Sequence, residues 1–132
     1  MSYYAPSQLP DIDIVELVEL SGLQPNRVSD KNLRFVRVKK ETAQKIAYLW
    51  RQLPPGEQMR CHYPPFGLRF YMGNKLVVQG SICWECNNIF CWECNNIFAQ
   101  ENGENLIYEF DTQHSHSRQL FALLQHIVMR AF

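Results

Sequence analysis

Residues 83–90 read Cys-Trp-Glu-Cys-Asn-Asn-Ile-Phe, and residues 91–98 read the same eight letters again. Eight consecutive identities do not arise by chance, so this stretch is a tandem duplication. Strand side chains alternate with period two, so eight extra residues within one strand leave the same side chains facing the core, whereas seven or nine would invert it. One copy therefore suffices for the fold, and the second reads as a tolerated insertion. The copies differ only in their flanks: residues 75–82 lead into the first, and the polar stretch 99–105 follows the second.

The duplication also creates a Cys-x2-Cys-x4-Cys-x2-Cys array at Cys83, Cys86, Cys91 and Cys94. Four thiolates hold tetrahedral zinc or an iron–sulfur cluster, or carry redox chemistry. The spacing argues against a metal, because two Cys-x2-Cys knuckles that converge on one ion are usually separated by about a dozen residues or more. Within a strand, moreover, residues i and i+3 point to opposite faces. The expectation is no cofactor, with zinc as the alternative. A single-copy parent would hold Cys61 and one Cys-x2-Cys, an odd number that predicts free thiols rather than a disulfide framework.

Upstream, Leu68, Phe70 and Met72 alternate with Arg69 and Tyr71, and Gly73-Asn74 then separates two apolar runs. That pattern predicts a hairpin with a two-residue turn, whose return strand places Leu76, Val78, Ile82 and Trp84 on one face. Residues 33–39 predict a strand. Residues 41–53 predict a helix, because Ala43, Ile46, Ala47, Trp50 and Leu53 form one apolar stripe and Pro54-Pro55-Gly56 ends it. Residues 11–21 carry acids every third position, as on a helix, but their Ile and Val content favours a strand. Residues 106–110 predict another strand, and from Ser117 a helix repeats Leu120, Phe121, Leu124, Ile127, Val128 and Ala131. These elements define an α+β fold: an antiparallel β-sheet of about five strands with two α-helices packed on one face. Residues 1–10 are expected to be a flexible N-terminal arm, and residues 11–132 a single domain.

With 46% hydrophobic and 20% charged residues the chain has an ordinary globular composition. The absence of a long apolar run and of a signal-like start predicts no membrane segment and a cytoplasmic location. Net charge is zero but uneven. Residues 1–26 hold four acids and no Lys or Arg, while residues 27–51 hold eight bases and two acids. Side by side, the two segments would neutralise each other. The helix–three strands–helix order from residue 41 resembles the double-stranded-RNA-binding domain in topology. That family starts its last helix on a basic cluster, where this chain has His114-Ser-His-Ser-Arg118, so nucleic-acid binding is not expected.

Candidate chemistry is sparse. Cys61 and His62 are adjacent in an extended stretch, where neighbours point apart, so they do not form a nucleophile–base pair with each other. His114 and His116 decorate the approach to the last helix, and the glycines are too scattered for a phosphate loop. The function expected is that of a non-catalytic interaction or structural module. Its contact strip to a protein partner would be Arg60, Tyr63, Phe66, Arg69 and Tyr71, because aromatics and Arg dominate interface energetics. The alternative is a thiolate metal or redox protein.

Overall fold

The hairpin around Gly73-Asn74 forms as expected and organises the sheet. β3 (Phe66–Met72) and β4 (Lys75–Cys83) pair antiparallel, with Met72 opposite Lys75. Gly73 takes φ +61°, a backbone region that costs glycine little, and its amide donates to the Asp13 carboxylate at 2.9 Å. The computed structural model describes residues 4–20, 25–58, 61–94, 97–98 and 106–132. β1 (Ile14–Glu19) lies between β3 and β2 (Phe35–Lys39), so the ambiguous N-terminal stretch is a strand. β5 (Asn88–Cys94) continues the sheet beyond β4, and both β6 (Ile97–Phe98) and β7 (Leu106–Glu109) pair with it. Every pairing among the described strands is antiparallel. The two strands beyond the expected five, β5 and β6, come from the duplicated segment.

Both helices pack on one face of this sheet. α1 (Lys40–Arg51) contributes Ala43, Ile46, Ala47 and Trp50, and α2 (Ser115–Ala131) contributes Leu120 and Leu124. They share one apolar cluster with Val15, Leu17, Leu68, Phe70, Val78 and Ile82 from the strands. β2 runs into α1 without a loop, and Lys40, at φ +55°, forms the corner. No helix among the described residues is long and apolar enough to cross a membrane.

The flexible arm expected over residues 1–10 is, from Tyr4 onward, part of the fold. Tyr4 and Leu9 are buried in the core, and a short 3-10 turn begins at Pro6. Trp50 Nε1 donates to the Tyr4 hydroxyl at 2.8 Å, and the Tyr4 amide donates to the Ile107 carbonyl of β7 at 2.8 Å. Arg51 ties the same segment down through the Leu9 and Pro10 carbonyls. Two apolar side chains and a satisfied indole outweigh the disorder that two prolines suggest.

The opposite face of the sheet is covered by chain rather than by helices. A 3-10 turn, Pro25–Ser29, lays Val28 on Val18 and Leu20. It comes so close that a Cβ on Gly67 would sit 2.4 Å from Val28 Cγ2, which excludes any larger residue there without rearrangement. The segment preceding β3 covers the other end.

The duplication does not behave as one strand with a spare copy. Copy one ends β4 at Cys83, turns over residues 84–87, with Asn87 at φ +43°, and enters β5 at Asn88. Copy two extends β5. The copies thus lie across an antiparallel turn, where Cys83 opposes Asn88 and Gly80 opposes Cys91. On the two arms of such a hairpin, residues eight apart face opposite ways, so the period-two argument fails for the reason it was made. Trp84 reaches the helix face, touching Phe66, Phe110 and Phe121, and its Nε1 donates to the Ser117 carbonyl at 3.1 Å. Trp92 packs on the other face against Val18, Leu20 and Val28.

Candidate functional site

Three cysteines meet at the β4–β5 turn. Cys61 and Cys86 form a disulfide, with Cα atoms 5.5 Å apart, that pins the segment preceding β3 to the turn. Cys83 is a free, buried thiol. The Cys86 amide donates to Cys83 Sγ at 3.2 Å, so the first Cys-x2-Cys folds as a tight turn and not as strand. The expectation of free thiols is corrected at Cys61 and Cys86, and Cys91 is also disulfide-bonded. Nor do the described cysteines of the repeat converge. Cys86 is engaged with Cys61, Cys91 belongs to the core on the helix side, and the Cys94 side chain lies outside the described ones. Cys spacing alone carries no signal for a bond between residues 25 apart.

Beside the disulfide stands a directional hydrogen-bond chain. Asn88 Nδ2 donates to the Cys61 carbonyl at 2.7 Å, which leaves Asn88 Oδ1 to accept from His62 Nδ1 at 2.6 Å. His62 Nε2 is then the acceptor for the Ser81 hydroxyl at 2.8 Å, and Trp92 Nε1 donates to Ser81 Oγ at 3.0 Å. The imidazole stacks on Phe90 with ring centroids 3.7 Å apart. Burial pushes His62 down to about 4, against the opposing Asn88 bond, so the ring is neutral at pH 7. Ser81, His62 and Asn88 have the bond order of a nucleophile, base and orienting group. Ser81 is 0% exposed, however, and its oxygen is capped by the Trp92 indole. The chain is a clamp on the segment bearing Cys61, not an acyl-transfer site.

A second polar centre lies at the other end of the same face. Glu16, buried on β1, accepts from Arg37 Nε at 3.1 Å and Nη2 at 2.5 Å, from Arg69 Nε at 2.8 Å and from the Tyr71 hydroxyl at 2.9 Å. Burial alone would raise its carboxyl, but these donors hold it below the ordinary range. Arg69 also donates to the Val28 carbonyl at 2.8 Å and lies over the Phe35 ring. With Arg34 on Glu19, these pairs show the acidic and basic segments neutralising each other across β1 and β2. Above the cluster opens a cavity of about 340 Å³ lined by Lys31, Phe35, Arg37, Arg69, Tyr71 and Glu16.

The contact strip expected from sequence is not one surface. Phe66 is buried against Trp84 and Phe121 on the helix side, and Arg69, 2% exposed, is on the other side of the same strand. Strand alternation separates them. Tyr63 is 74% exposed, Tyr71 is half-buried against Glu16, and Arg60 lies outside the described residues. Only Arg69 and Tyr71 come together, in the cavity beside β2. His114 behaves as expected: it caps α2, its Nδ1 accepting from the His116 amide at 3.2 Å. Comparison with known proteins finds no matching family model, no matching curated protein and no matching solved structure.

Proposed function

We propose that this chain is a non-catalytic interaction module that binds an acidic, extended segment of a protein partner along β2 and into the adjoining cavity. The observation that carries it is the coincidence of a terminal strand with a basic cavity. β2 ends the sheet order, and no described strand pairs with its outer edge, which leaves backbone donors and acceptors for an added strand. Beside it, Lys31, Arg37 and Arg69 outnumber Glu16, so the lining has a net positive charge. Lys39 and Lys40 extend that charge at the end of the strand. The Phe35 ring supplies apolar contact at the rim.

The Cys61–Cys86 bond supports work in an oxidising compartment over the reducing one expected from sequence. An NMR titration with a short peptide of alternating Glu and Val tests the reading. Shifts should concentrate on 35–39 and weaken at least tenfold in the Lys31→Glu/Lys39→Glu variant, whose two side chains are exposed. Shifts elsewhere, or binding indifferent to the reversal, overturn it.

A further inference from the structure

The cysteine cluster lies at the far end of the sheet from β2, and nothing in the interaction reading uses it. We propose that Cys61, Cys83 and Cys86 form a thiol–disulfide exchange centre in which Cys83 displaces Cys61 from Cys86. Cys83 and Cys86 bracket a tight turn, and the Cys86 amide points at Cys83 Sγ from 3.2 Å. The free thiol therefore sits beside the residue that carries the disulfide. Cys83 is buried, so external reagents do not compete for it.

The step balances internally. Cys83 gives up its proton as its sulfur attacks Cys86 Sγ, and the sulfur that leaves is free to take it. The Cys83–Cys86 bond forms, the Cys61–Cys86 bond breaks, and the electron pair leaves on Cys61 Sγ. No net oxidation occurs. The released thiolate belongs to a residue that is only half-buried, so the exchange converts a buried nucleophile into an accessible one. Cys61 does not drift away on release. Asn88 still holds its carbonyl at 2.7 Å, and His62 remains clamped between Asn88 and Ser81. The partner this chemistry fits is an external disulfide. Cys61 attacks one of its sulfurs, forming a mixed disulfide, and the other sulfur departs as a thiolate.

Oxidised glutathione is the probe. The native protein should take up one glutathione on Cys61, with Cys83 and Cys86 linked to each other in non-reducing peptide maps. Cys83→Ser should keep the Cys61–Cys86 bond and label Cys61 at least tenfold more slowly. Native-state alkylation of the unmodified protein is the second measurement, independent of any variant. It should find a minor population alkylated at Cys61 and linked Cys83–Cys86. Absence of adduct on the native protein, glutathione on Cys83, or equal labelling of Cys61 in Cys83→Ser overturns the proposal.

Discussion

The two copies of Cys-Trp-Glu-Cys have one sequence and two structures. In the first, the chain turns, Trp84 enters the helix-side core, and the second cysteine bonds to Cys61. In the second, the chain stays extended as β5, and Trp92 covers the opposite face. Local propensity is identical for both, so tertiary context decides. What differs is the neighbours: Cys61 and the aromatic cluster await the first copy, whereas β4 extends ahead of the second as a template.

The largest effect should come from Trp84. Trp84→Ala removes an indole packed on three aromatic rings and should cost about 3–5 kcal/mol in denaturant melts. Next is the staple. Cys61→Ser opens a disulfide of sequence separation 25 and should cost about 3 kcal/mol, with amide exchange rising first in residues 84–87. If the turn of copy one stays as protected as before, the bond does not hold that conformation.

Acid should act through His62. Its folded pKa of about 4 lies below the ordinary imidazole value of 6.5, so the fold binds fewer protons there than the unfolded chain does. Its contribution is complete above pH 6.5 and is lost as pH falls toward 4, by up to about 3 kcal/mol. In His62→Gln that part of the pH slope should disappear. Glu16 acts in the same direction at lower pH, its carboxyl being held below 4.5.

Trp92→Ala should cost less than its twin, about 1–2 kcal/mol, because it removes one hydrogen bond and partial cover from a small cluster. The loss of one whole copy asks a different question. Deleting residues 83–90 and deleting 91–98 yield the same chain, so the remaining copy must choose a conformation. It should take the turn, keep the bond to Cys61 and retain the fold, at a cost set by the lost Trp92 packing and β5 pairing, because closing the shorter connection itself alters stability by well under about 1 kcal/mol. Peptide mapping of the shortened chain would show an unbonded Cys61 if it chose the strand instead.

The parts legible in the sequence were those set by near neighbours: the Gly73-Asn74 turn, the α1 stripe and its proline stop, the pairing of opposite charges on β1 and β2. Arg69 was misread because alternation in a strand marks two faces without saying what covers each. Only the 3-10 turn carrying Val28 makes its face a buried one. The arm was misread because prolines signal local stiffness, while Tyr4 finds its partner 46 residues away at Trp50. The disulfide stayed hidden for the same reason.

The position of β1 has a consequence for how the chain reaches this state. β1 is not at an edge but between β2 and β3, and the Tyr4 amide waits for a carbonyl on β7. The Tyr4 amide therefore stays unsatisfied until β7 is in place, and the pairing of β1 with β3 encloses a long loop whose closure precedes any gain. Assembly should be slow and late, with β1 exposed to stray pairing until β3 arrives to claim it.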